Sequence, residues 1–144
     1  MAETIFFPRR LILGGAVISG VLLALAVHML GARYGLDLGG LWRSDPRQFM
    51  PAGAAIAWWL IATVGFSGGY FTATLMRSAV AGQIPPRMRQ FLIVVGVLLL
   101  AGAGQAASAP SAIPTISGVL AGVAALCLGA VMAFCGAHFA LRKA

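Results

Sequence analysis

A chain of 144 residues in which 60% are hydrophobic and 9% charged is far from a soluble domain, where roughly a quarter of residues carry charge. Its solvent is lipid. The net charge of +7 does not point to nucleic acid, because the basic residues sit beside apolar runs rather than on a patch interleaved with exposed aromatics.

Crossing ~30 Å of hydrocarbon takes ~20 apolar residues in a helix. Four runs reach that length, at about 11–31, 52–76, 91–109 and 118–141. The pattern predicts an all-α polytopic membrane protein, a bundle of four transmembrane helices forming a single domain over residues 1–144. The longest connector, residues 32–51, is too short to build a core of its own.

Arg9 and Arg10 precede the first span. Paired arginines before an apolar run also occur in twin-arginine export leaders. No small-x-small cleavage site follows at Gly31, Ala32 and Arg33, so the span reads as a retained helix anchored by its arginines. After it, Tyr34 and Trp42 suit the aromatic belt of a membrane interface. In the same connector, Ser44 or Asp45 can cap a short interfacial helical turn with Pro46 in its first turn, before Pro51 opens the second span.

The second span contains the stretch VGFSGGYFTAT, Val64 to Thr74. At 100° per residue, Gly65, Gly68, Gly69 and Thr72 fall on one side, and Thr63, Ser67, Tyr70 and Thr74 fall nearly opposite. The glycine side, with its Gly65-x-x-x-Gly69 spacing, reads as a packing face that lets another helix approach closely. The hydroxyl side has two readings. Ser and Thr can bond back to the carbonyl four residues earlier and need no partner, or they can line a polar cavity beside Tyr70.

Pro85 and Pro86 end the second helix, because proline cannot continue one. The third span carries one strongly polar side chain, Gln105, which reads as a bridge to a neighbouring helix or an interfacial group, with solute contact as the alternative. Pro110 and Pro114 then break the chain, with Thr115 or Ser117 as the cap of the fourth span. Since the connectors are short, sequential helices are expected to pack as antiparallel neighbours.

The fourth span has a seam of small residues, Gly118, Gly122, Ala125, Gly129, Ala133, Gly136 and Ala140, whose spacing of three and four marks one face along the whole helix. That face should meet another helix closely. Cys127 and Cys135 lie eight residues apart on this span, about 12 Å of rise, whereas bridged Cα atoms need to be within ~7 Å. They cannot pair within the helix. Cys135 and His138 could share a metal, but two ligands leave a zinc site half empty. His28 falls near the outer end of the first span and His138 near the inner end of the fourth, so most of the bilayer separates them and they cannot join at one haem.

Charge placement sets topology. Arg9, Arg10, Arg77, Arg87, Arg89, Arg142 and Lys143 face one side if both termini are cytoplasmic, against Arg33, Arg43 and Arg47 on the other, partly balanced by Asp37 and Asp45. The positive-inside rule favours that arrangement in a bacterial-type inner membrane.

No Asp, Glu, Lys or Arg lies inside a span core, which removes the usual proton relay or coupling-ion site. With no nucleophile-base pair and no carboxylate pair, an enzyme is not expected, nor is a metal or other cofactor. The expected function is a non-catalytic accessory, assembly or structural subunit whose glycine seams bind a larger membrane complex. The alternative is a small homo-oligomeric transporter or channel with the hydroxyl face of the second span lining the path. The partners implied are the lipid bilayer and other membrane subunits or further copies of the chain.

Overall fold

The computed structural model describes residues 8–34, 36, 52–80, 85–108 and 116–143. They form four helices, α1 Arg9–Ala32, α2 Ala52–Val80, α3 Pro86–Ser108 and α4 Ile116–Arg142. At 24, 29, 23 and 27 residues and 1.5 Å of rise per residue, each exceeds ~30 Å. All four are long and apolar enough to cross a membrane, the pattern of a multi-pass membrane protein. A helix suits that solvent because it satisfies its own backbone where no water can.

The helix ends follow from proline and glycine. Pro8 is extended, with φ −60° and ψ 141°, and its carbonyl accepts from the N–H groups of Leu11 and Ile12 at 2.8 and 3.3 Å. At the other end of α1 the chain folds back over Gly31, whose carbonyl accepts from Tyr34 and Leu36, both at 2.9 Å. A Cβ on Gly31 would lie 2.6 Å from the Leu36 carbonyl oxygen, so this turn needs glycine.

Pro86 occupies the first turn of α3, where its missing N–H costs nothing, and the Pro85 carbonyl accepts from Met88 and Arg89 at 2.9 and 3.4 Å. The third helix therefore starts at Pro86 rather than near residue 91. Hydropathy marks the greasy stretch, whereas the helix begins earlier, among arginines. The expected turn at Ser44–Pro46, Trp42 and the Thr115 cap fall outside the described residues.

The packing order departs from the chain order. α1, α2 and α4 pack mutually, and α3 rests mainly on α1, touching α2 only lightly. The expectation that sequential helices pack as neighbours is corrected here for α2 and α3, which touch only lightly, and for α3 and α4, which touch less still. A short connector constrains only the helix ends, and the close-packing faces of α2 are already taken by α1 and α4. Contacts such as Gly15 with Met76, Gly65 with Gly129 and Gly102 with Ala26 fix the directions. α1 runs antiparallel to α2 and α4, α2 runs parallel to α4, and α3 runs parallel to α1.

Alanine dominates the core. Ala16, Ala24, Ala73, Ala125, Ala133 and Ala137 are fully buried, and Ile61 is the one large side chain buried as deeply among the described residues. One cluster gathers Ala24, Ala57, Ile61, Ala121 and Ala125, and a second gathers Ile12, Ala16, Ala73, Ala137 and Ala140. Lipid tails are as apolar as leucine, so helix association rests on close van der Waals contact rather than on transfer from water. Small side chains bring the backbones together.

Candidate functional site

Between the two alanine clusters, at mid-length of three helices, lies a waist where backbone meets backbone. Gly20 of α1, Gly65, Gly68 and Gly69 of α2, and Gly129 and Gly136 of α4 are all buried there. A Cβ on Gly69 would run into the carbonyl oxygen of Ala133 and lie 2.6 Å from its Cα and carbonyl carbon. One on Gly136 would meet the carbonyl oxygen of Phe66, one on Gly129 the Cβ of Ala24, and one on Gly20 the Cβ of Ala133. Gly65 stands 3.1 Å, by the same measure, from the carbonyl oxygen of Gly129, and Gly68 2.8 Å from Leu23 Cδ1.

The small-residue faces of α2 and α4 thus face each other and α1 inside one chain. Two seam residues lie apart from this contact. Gly118 is exposed, and nothing comes within 4 Å of a Cβ on Gly122. Towards its start, the buried line on α4 runs through Ala125 and Ala121 instead.

The α1 side of the waist was not singled out from the sequence. Its pattern was available: Ala16-x-x-x-Gly20-x-x-x-Ala24 is a small-residue repeat in a leucine-rich span, and all three residues are buried. Thr72, counted on the glycine face, donates to Ser19 Oγ at 2.9 Å, a hydroxyl bridge between α2 and α1 beside Gly20. No spacing within either helix could have paired them.

The opposite face of α2 is more self-contained. Thr74 Oγ1 donates to the Tyr70 carbonyl at 2.9 Å, and Ser78 Oγ donates to the Thr74 carbonyl at 2.9 Å, the back-bonding that satisfies a hydroxyl in lipid within its own helix. Thr63 is exposed and Ser67 half-buried. Tyr70 packs against the second alanine cluster, with its ring edge-on to Phe71 at 5.5 Å and tilted against Phe139 at 6.2 Å. Gln105 is half-buried on α3.

The third helix is the outlier. Of its most apolar window, 11% is buried, against 33% in α1 and in α2. Gly102 fits against Ala26, where a Cβ would lie 2.8 Å from the alanine methyl, and Phe91 stacks on Phe71 of α2 at 4.5 Å. A groove of about 270 Å³ between α1 and α3 is lined by Leu22, Leu25, Ala26, Met29, Leu99, Gly102 and Ala103, all apolar. The outward face carries Ile93, Val97 and Leu100, exposed at 68%, 62% and 76%. Gly96 and Gly104 lie on the same side, with nothing within 4 Å of their Cβ positions.

At the end where α1 begins and α4 finishes, Arg9 Nη2 lies 3.2 Å from His138 Nδ1. Phe134 stacks on the same imidazole at 6.2 Å. Cys127 and Cys135 are free and exposed. Among the described residues, no three of His, Cys, Asp or Glu lie close enough to hold a metal ion. No family model, curated protein or solved structure matches the chain.

Proposed function

We propose that this protein is a non-catalytic accessory, assembly or structural subunit of a larger membrane complex. It is a bundle of four transmembrane helices in a bacterial-type inner membrane, with both termini cytoplasmic, and it meets its partner through the outward face of α3.

The observation that carries this reading is the contrast between the helices. The buried glycines of α1, α2 and α4 pack against one another, and although Gly14 of α1 and Gly122 of α4 are as open as Gly96 and Gly104 of α3, α3 buries the smallest share of its apolar window, 11% against 22 to 33% in the others. Ile93, Val97, Leu100, Gly104 and Ala107 repeat at intervals of four and three, the spacing that keeps one seam towards a partner helix in a left-handed pair. Small residues on such a seam let a foreign backbone come close.

The transporter alternative calls on hydroxyls facing a path. Thr74 is instead bonded to its own helix, and the Tyr70 ring lies among aromatic neighbours.

The test is a tagged copy extracted in mild detergent from its native membrane. Co-purification of defined foreign subunits is expected, and Gly104→Leu should abolish it while the chain still inserts and folds, because among the described residues a Cβ at Gly104 meets nothing within 4 Å. A pure homo-oligomer would favour the transporter instead. Retention of the same partners by Gly104→Leu would mean that α3 faces lipid.

A further inference from the structure

One end of the molecule carries an unbalanced charge. Arg9 and Arg10 of α1, Arg77 of α2, Arg87 and Arg89 of α3, Arg142 of α4 and Lys143 just after it all lie there, and all are exposed. The whole chain has three carboxylate side chains, Glu3, Asp37 and Asp45. None is among the described residues; Asp37 and Asp45 belong to the connector that follows the far end of α1, and Glu3 precedes α1 in the sequence, one carboxylate side chain against seven cations.

Three of these cations contact the last turns of α4 or lie beside them, none through a carboxylate. Arg9 Nη2 reaches His138 Nδ1 at 3.2 Å, Arg77 Nη1 donates to the Ala140 carbonyl at 3.5 Å, and Lys143 Nζ sits 4.6 Å from the centre of the Phe139 ring. Such partners hold the cations in place and leave their charge intact. A guanidinium has five N–H donors, and each arginine here spends one on these contacts.

An anion completes the arrangement. The patch lies at the ends of membrane-length helices, the depth at which lipid phosphates sit, and basic pockets between helices at that depth suit phospholipid head groups. Phe139, 45% exposed, offers apolar surface for an acyl chain directly beneath the Lys143 ammonium. A zwitterionic lipid already pairs its phosphate with its own ammonium, so the surplus positive charge selects a lipid of net negative charge. We propose that Arg9, Arg77 and Lys143, gathered around His138, Phe139 and Ala140, hold the phosphate of an anionic phospholipid between the ends of α1, α2 and α4. The inference requires that the helices cross the bilayer and goes beyond the subunit role.

The experiment places the full chain in phosphatidylcholine nanodiscs containing a minor fraction of phosphatidylglycerol and measures retained lipid by native mass spectrometry. The wild-type protein should enrich phosphatidylglycerol. Arg9→Gln with Arg77→Gln should cut that enrichment by about fivefold for each arginine removed, at ~1 kcal/mol per basic contact. Arg33→Gln, at the opposite end, should leave it unchanged. Circular dichroism checks that helix content is kept, and should the double variant fold poorly, Arg9→Gln alone is read, since that contact is exposed. Equal retention of the two lipids by the wild type, or undiminished enrichment in the arginine variants, overturns the proposal. Displacement of phosphatidylglycerol by millimolar inorganic phosphate overturns the lipid assignment in favour of a soluble phosphate.

Discussion

Adding one methyl group at Gly69 and one at Gly104 separates close packing from mere helix preference. At Gly69 the new Cβ would lie 2.6 Å from the Cα and carbonyl carbon of Ala133, about 0.9 Å inside the ~3.5 Å of ordinary carbon contact. The obstacle is backbone, so α2 and α4 must separate, and a gap of 0.5 to 1 Å already forfeits roughly a quarter to a half of each neighbouring dispersion contact. Overpacking of this kind costs about 1 to 3 kcal/mol. At Gly104 the methyl enters open space. Both changes gain the same preference of alanine over glycine, ~1 kcal/mol in a helix, so the difference between Gly69→Ala and Gly104→Ala isolates the packing term at about 1 to 3 kcal/mol.

A second comparison identifies the obstructing atom. Gly20→Ala collides with the Ala133 side chain, and the next obstacles, Gly65 O and Ala133 Cα, stand at 3.2 and 3.4 Å. Ala133→Gly should therefore rescue Gly20→Ala, with a coupling on the order of 1 to 3 kcal/mol. It should not rescue Gly69→Ala, because the backbone of residue 133 remains. The assay is unfolding by sodium dodecyl sulfate from mild-detergent micelles, followed by far-ultraviolet circular dichroism. Equal effects of Gly69→Ala and Gly104→Ala, or equal rescue of both waist variants, would refute the backbone-to-backbone waist.

Other outcomes follow from the same geometry. Gly129→Leu should destabilise the protein because its Cβ position is filled by Ala24, whereas Gly122→Leu, with nothing within 4 Å, should be tolerated; melting curves in detergent decide this, and equal loss contradicts it. Thr72→Val removes the bond to Ser19 and should cost about 0.6 kcal/mol, the average for such membrane bonds, while Thr74→Ala, bonded only to its own helix, should be nearly silent; the reverse ranking in the same unfolding assay contradicts the assignment. Reporter fusions after Ala144 and in the connector at Pro85 should both report cytoplasm, and a periplasmic signal from either sinks the topology.

The spans were legible in the sequence because length and hydropathy are properties of one helix at a time. The same holds for the two sides of α2, which follow from angular spacing alone. What could not be read is which helix each face meets. Short connectors suggested α2 beside α3, yet the chain sets α2 against α4 and α1, and only the shapes of three small-residue faces together decide that. Gly118 and Gly122 show the limit on the site. Spacing placed them on the seam, but the line of burial passes instead through Ala121, which depends on how α1 and α2 cross α4. The bridge from Thr72 to Ser19 was illegible for the same reason. The pairing of Arg9 with His138 joins residues 129 positions apart, and no local pattern announces such a contact.

The subunit role is tested most directly by a photo-reactive amino acid at Leu100, 76% exposed on α3, compared with one at Ile18, 63% exposed on α1. Irradiated in native membranes, Leu100 should give one defined adduct with a different membrane protein, lost when Gly104→Leu is added, and Ile18 should give lipid adducts alone. Lipid adducts alone at both positions, or an adduct of twice the chain's own mass at Leu100, would contradict the account.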